Sequence, residues 1–302
     1  MSRSLTPREL AAAVGLSESS LKRWADDGLV RVTRTAGGHR RIAVPEAVRF
    51  IRAMGLPVVD PRPLGITMPS RARRVSEGEA SVGGSAAAWL QTALSEGDAE
   101  AARGMIVAMY LDGHEPHDIC DGPVARALRE IGELWKHGEE GIFIEHRATD
   151  LCLQAMSELR RLIPEPPEGA PIAVGGAPPG DPYILPSMMV ATVLAAEGWR
   201  PINLGPETPD HVLLSAARVN HAVLLWRCLS VAEHERTSGA ELASLADHVR
   251  LEGAHVVAGG RGCPSRVMPH RDNLMLASSM GELAAFARGL RAAHRPVEGG
   301  GA

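Results

Sequence analysis

The sequence predicts a multi-domain chain of α + α/β class: a helix-turn-helix head, then a helical bundle, then a doubly wound parallel sheet. Three observations carry this. Two short amphipathic segments separated by a single turn glycine open the chain. After a stretch rich in proline, glycine, serine and arginine, apolar residues return at helical spacing over about 75 residues. The last third alternates short apolar runs with helical ones, the pattern of strands connected by crossover helices.

In the head, Thr6 is placed to cap a helix that Pro7 opens, and Leu5, Leu10 and Val14 supply its apolar face. Gly15 makes the turn. Ser17 caps a second helix, Glu18 to Asp26, which Gly28 ends. Leu21 and Trp24 are expected to pack inward, leaving Ser19, Ser20, Lys22 and Arg23 exposed to face a DNA major groove. About a dozen residues later, Thr35-Ala36-Gly37-Gly38-His39-Arg40-Arg41-Ile42 is a glycine-hinged turn with two adjacent arginines. With Arg34 and His39, it suits a loop that grips the phosphates of double-stranded DNA.

Charge supports that reading. Residues 1 to 74 hold 14 Lys and Arg against 6 Asp and Glu, a net of +8, whereas the whole chain holds 32 against 36, a net of −4. The remainder therefore carries −12 and would be repelled by DNA, so the two parts have different work. A solvated basic face on an ordinary helical domain is the bland alternative, and it does not explain why spacing, turn glycines and paired arginines coincide.

Composition sets further bounds. Apolar periodicity fades from Leu56 to Gly84, giving a head over 1–60, a flexible linker over 61–84, a bundle over 85–163, a sheet domain over 164–292 and a tail over 293–302. The bundle reads as about four segments, broken near Gly97-Asp98, Gly113 to Pro116 and Lys136 to Gly141. The sheet domain's alternating runs begin at Pro171, Ser187, Arg200, His211, Ala222, Leu242, His255 and Met280. No run approaches the roughly 20 apolar residues that span a bilayer, and Met1-Ser2-Arg3-Ser4 lacks a signal peptide's apolar core, so a cytoplasmic protein with no membrane partner is expected. Cys120, Cys152, Cys228 and Cys263 are dispersed and read as buried thiols, with neither disulfides nor a metal site expected. No Ser-His-Asp or Cys-His nucleophile arrangement can be assigned by spacing, and a non-enzymatic function is expected.

Residues 1 to 60 resemble the winged helix-turn-helix domain of the MerR family of transcription regulators, whose second helix enters the major groove and whose wing, here Arg34 to Arg41, holds flanking phosphates. The later domains are similar to a helical bundle followed by a Rossmann-like cobalamin-binding domain. The whole arrangement resembles light-sensing regulators of the CarH/LitR type. In the bundle, Trp135 is followed after nine residues by Glu145-His146, the motif that in the family covers the upper face of the corrin and its adenosyl group. Taken alone, these residues also read as a core tryptophan with a surface Glu-His pair. The resemblance further implies a homodimer or homotetramer, a repeated or palindromic operator, and RNA polymerase as a partner.

The Rossmann-like part departs from the family pattern. Where the family places an acid, then after one residue a cobalt-ligating His, then after two more a Gly, the chain reads Asp181, Tyr183 and Pro186. A phenol with a pKa of about 10 is a poorer cobalt ligand than imidazole. Where the family places a small Ser beside the dimethylbenzimidazole tail, after the apolar run Ala222 to Leu225, Trp226 stands, followed by Arg227. The later pair Gly259-Gly260 is retained.

Three readings follow. In the first, the module keeps the fold but has lost or altered cobalamin binding, and serves sensing of another molecule or oligomerisation. In the second, adenosylcobalamin still binds without a His ligand and preserves a light switch. In the third, the C-terminal half is a cobalamin enzyme, which the absence of a substrate barrel and the basic head disfavour. Other chemistry is weaker. His114, His117 and Cys120 have metal-like spacing but read as a polar loop entering a helix; Cys263-Pro264 with His270 downstream resembles a haem-uptake dipeptide; and Gly175-Gly176 with Gly180 lacks the phosphate-loop lysine.

Overall fold

In a computed structural model of the chain, residues 3–67, 84–134, 138–231, 238–264 and 270–293 are described. They fall into two compact units, Met1–Pro164 and Glu165–Ala302.

The first unit opens with strand β1 (Ser4–Leu5), then α1 (Pro7–Val14) and α2 (Glu18–Asp26). Thr6 and Glu9 form a reciprocal capping box: Thr6 Oγ1 accepts from Glu9 N at 3.2 Å, and Glu9 Oε2 accepts from Thr6 N at 2.7 Å. Ser17 caps α2 through a bond from Ser20 N. Leu5 belongs to β1 rather than to the face of α1, yet it is buried as expected. Asp27, not Gly28, terminates α2. Strands β2 (Thr33–Arg34) and β3 (Arg40–Ala43) complete an antiparallel sheet of order β1-β3-β2. The turn between them closes by Gly38 N to Thr35 O at 2.8 Å, and Gly38 sits at φ +78°, a conformation that favours glycine. α3 (Val44–Met54) packs its buried Ala47, Val48, Phe50 and Ile51 inward, and Phe50 meets Trp24 with ring centroids 5.5 Å apart.

Glu46 ties α3 to the turn after α2. Its carboxylate accepts from Arg49 Nη2 at 2.6 Å and from Arg31 N at 2.8 Å, while Arg49 also donates to Leu29 O at 3.0 Å. Burial pushes the Glu46 pKa up, but the bonds from Arg49 and Arg31 outweigh it and hold it below the ordinary value. A lowered folded-state pKa contributes stability above the unfolded value of about 4.3, and that stability is lost as pH falls through the folded pKa. Glu46→Gln is therefore expected to destabilise the head by about 2 kcal/mol near neutrality. In thermal denaturation, its deficit against wild type should shrink as pH drops below that range. A deficit independent of pH would show that the charge is not responsible.

A linker was expected from residue 61, where apolar periodicity has faded, but residues 61–66 pack with the head. Val59 N and Asp60 N donate to Ala13 O, a 3-10 turn spans Arg62–Leu64, and Leu64 and Ile66 are buried, so the head extends through at least residue 66. Prolines hid this: they remove the periodicity that marks packed segments but still permit apolar anchors. Linker residues 68–83 and tail residues 294–302 lie outside the described residues.

The bundle comprises α4 (Gly84–Glu96), α5 (Ala99–Leu111), the short α6 (Pro116–Ile119) running through a π-helical turn (Cys120–Val124) into α7 (Ala125–Glu133), and α8 (Glu139–Leu162). α5 packs along α8, and both have buried faces: Ala102, Met105, Ile106 and Met109 on α5, Ala148, Cys152, Ala155 and Leu159 on α8.

The second unit is a five-stranded parallel sheet of order β5-β4-β6-β7-β8, from β4 (Ile172–Gly176), β5 (Arg200–Gly205), β6 (Leu224–Cys228), β7 (His255–Gly259) and β8 (Leu274–Ala277). Its helices are α9 (Leu185–Ala196), α10 (Asp210–Val219), α11 (Ser238–Arg250) and α12 (Met280–Ala293). The doubly wound Rossmann-like fold is as expected, although the apolar run of β8 was not read as a strand. Strand order reverses beside β4, so the fold's ligand crevice lies outside the carboxyl ends of β4 and β6.

Candidate nucleic-acid interface and candidate ligand crevice

Strand alternation divides the wing arginines. Ile42 is buried, and Arg40, two residues before it, shares its side of β3. Arg40 Nη1 donates to Lys22 O at 3.1 Å and its Nη2 to the Asp26 carboxylate, fastening the wing to the second helix. Arg41 lies on the other side, opposite Thr33. The structure thus assembles Lys22, Asp26 and Arg40 into one cluster, a role for Asp26 that the sequence did not signal.

Arg34, Gly38 and His39 are exposed, as are Ser19, Lys22 and Arg23, while Ser20 and Trp24 are half-buried. Ser17 Oγ lies 2.9 Å from both the Ser19 and Ser20 hydroxyls, so the two serines are partly engaged in the helix start. Lys22 pairs with Glu18 at 2.8 Å, an exposed i,i+4 contact that water or a phosphate can replace at little cost.

In the bundle, Glu145 and His146 lie on the early turns of α8. Glu145 Oε1 accepts from Thr149 Oγ1 at 3.1 Å, and its other oxygen is 3.6 Å from His146 Nε2. Trp135 lies outside the described residues.

In the sheet unit, Asp181 and Tyr183 occupy the loop after β4, and they diverge. Asp181 is fully buried; its Oδ2 accepts from Ser230 N at 2.6 Å and its Oδ1 from Tyr183 N at 3.3 Å. The carboxylate therefore clasps together the loops after β4 and β6, the two that border the crevice. Tyr183 and Ile184 are about half exposed.

Trp226 does not follow its strand, as the apolar run ending at Leu225 had suggested, but stands inside β6, opposite Gly175 and Val257. It is 1% exposed, and a Cβ added to Gly175 would lie 2.1 Å from the indole. The ring is thus laid across Gly175, a β4 position that lacks a side chain. Its Nε1 donates to Ser187 Oγ at 2.9 Å, and Ser187 donates to Asn203 Oδ1 at 2.8 Å. Ser187 and Asn203 had no sequence signal. Arg227, on the opposite face, donates to Thr208 O at 2.8 Å and to the Asp210 carboxylate. Gly259 and Gly260 approach neighbouring backbone so closely that a Cβ would meet Ala277 O at 2.7 Å and Leu229 O at 2.3 Å.

Among the described residues no group of three or more His, Cys, Asp or Glu is arranged to hold a metal ion, and no helix is long and apolar enough to cross a membrane. Cys120 is fully buried, and burial pushes its pKa far up. Burial also pushes the Cys263 thiol up, to about 11, which opposes thiolate ligation of haem; His270 is exposed.

Comparison with known proteins agrees with this architecture. Residues 6–42 match the MerR family regulatory protein family, and residues 87–160 match the B12 binding domain family. The HTH-type transcriptional repressor CarA of Myxococcus xanthus is 28% identical over 221 residues, covering 69% of this chain and 70% of that protein. The structure of the Methanosarcina barkeri monomethylamine corrinoid protein shares the fold at 17% identity and a TM-score of 0.50, over 67% of this chain and 96% of that one. The chain thus joins an N-terminal segment similar to MerR family regulatory proteins to a helical bundle similar to the B12 binding domain family.

Proposed function

We propose that the chain is a transcription regulator, cytoplasmic and acting as a homodimer or homotetramer, whose corrinoid-protein-like module no longer accepts cobalamin with its nucleotide tail inserted. In this reading Lys22 and Arg23, with Ser19 and Ser20, meet base edges. Arg34, His39 and Arg41 hold phosphates, and Arg40 acts by keeping the wing on α2. RNA polymerase is the downstream partner, and repression is the working sign, as in the name of the Myxococcus relative.

One observation carries the C-terminal half of the proposal. The space between β4 and α9, where a tail would pass, is filled by the Trp226 indole, whose only polar atom is already bonded to Ser187. A buried network with its donors satisfied does not await a ligand. Asp181, clasped to Ser230, and Tyr183, half exposed, do not supply a lower imidazole. The module then serves sensing of another molecule or oligomerisation. The second reading, adenosylcobalamin bound without a His ligand, is favoured by the retained Glu145-His146 pair.

An absorption spectrum separates the two. Protein incubated with adenosylcobalamin in darkness and desalted is expected to be colourless while still retarding its operator in a gel. A retained corrin spectrum that changes on illumination would establish the second reading.

A further inference from the structure

We infer that Arg52, at the end of α3, is a positioning residue that fixes the DNA-reading head on the bundle and so sets the spacing at which two heads engage DNA. Its guanidinium reaches across 58 to 63 residues of chain. Nη1 donates to the carbonyls of Tyr110 and, at 3.0 Å, His114, while Nη2 donates to Glu115 Oε1 at 2.7 Å. The guanidinium carbon lies 4.0 Å from the centroid of the Tyr110 ring, and the side chain is 14% exposed. These acceptors belong to the end of α5 and the loop behind it, where the helix dipole favours a cation. A planar fork that also stacks on an aromatic ring fixes direction as well as distance, which a lysine would not.

The contact leaves the reading surface open. α3 touches α5 and α8, whereas Ser19, Lys22, Arg23, Arg34 and His39 remain exposed with the bundle in place. Docking through α3 is therefore compatible with DNA binding, and its consequence is orientation: a head fastened to the bundle inherits the geometry of whatever oligomer the chain forms. A head not fastened to the bundle would tolerate many half-site separations.

The inference rests on the proposal that the chain binds DNA as an oligomer, and the test separates the two. Full-length wild type, Arg52→Met and Arg52→Lys are compared on operators with two half-sites at the native separation, on the same operators with five base pairs inserted, and on a single half-site. Five base pairs is about half a helical turn and carries the second site to the opposite face. Wild type is expected to lose about tenfold or more in affinity on insertion, and both variants less than about threefold, with single half-site affinity unchanged for all three. Unchanged half-site affinity also reports a folded head. Variants that keep the wild-type spacing penalty would overturn the positioning role and reduce Arg52 to a stabilising contact. A wild type indifferent to the insertion would overturn this inference, whereas a wild type that binds two half-sites no more tightly than one would overturn the oligomer reading on which it rests. Loss of half-site affinity in both variants would place Arg52 within the head's own fold and also overturn it.

Discussion

Replacing Arg40 and Arg41 together by alanine is expected to lower affinity for every DNA sequence by about 50-fold or more at about 0.15 M salt, and the two single variants are expected to reveal different causes. A phosphate contact contributes about −0.9 to the slope of log affinity against log salt, which at 0.15 M corresponds to about fivefold in affinity. Arg41, on the side of β3 away from Ile42, is the proposed contact of that kind. Arg41→Ala should therefore lose about fivefold and flatten the slope by about 0.9. Arg40 bonds Lys22 O and Asp26. Its loss detaches the wing and uncovers the Asp26 carboxylate beside DNA, so Arg40→Ala should lose about tenfold or more. Adding Asp26→Ala should recover part of that loss. Titrations at several salt concentrations check this. An Arg40→Ala loss that Asp26→Ala does not relieve would mean that Arg40 acts by touching phosphate, and a double variant that binds normally would remove the wing from the interface.

The difference between these neighbours marks a limit on what the sequence revealed. Two adjacent arginines after a glycine turn announce a basic loop, but adjacent residues in a strand face opposite ways, and which faces inward depends on register against β2 and β1. The buried Ile42 could have supplied the register, since its neighbour two positions back must share its side. Helix boundaries in the head were legible because their signals are local: Thr6, Pro7, Glu9 and Ser17 each satisfy or replace a backbone donor a few residues away. The Asp181–Ser230 clasp and the Arg52 contact join residues 49 to 63 positions apart, and no local pattern encodes them. β8 was missed although Leu274–Ala277 is a four-residue apolar run as continuous as that of β7; it is an edge strand and only partly buried.

Trp226 belongs to both classes. Its identity against a small residue in related proteins was visible in the sequence, but not its placement within β6, over Gly175 and bonded to Ser187. That placement sharpens the remaining prediction. Tyr183→His with Trp226→Ser is expected to convert a protein indifferent to adenosylcobalamin into one that retains it through desalting and melts at a higher temperature in its presence. The two substitutions differ in cost. Tyr183 is about half exposed, so its replacement should shift stability by no more than about 0.5 kcal/mol. Removing the buried indole opens a cavity against Gly175 and leaves Ser187 without its donor, a loss of about 3–5 kcal/mol, which is a large part of a typical domain's stability. A ligand at about a thousand times its dissociation constant returns about 4 kcal/mol. Apo Trp226→Ser should therefore melt well below wild type, and only the variants with a cleared slot should be rescued by the cofactor, more strongly when Tyr183→His also supplies an imidazole to ligate cobalt. Rescue of wild type to the same extent would show that the indole does not block the tail. A destabilised double variant that adenosylcobalamin fails to rescue would place the obstruction elsewhere, with Pro186, at the start of α9, the next residue to replace by glycine.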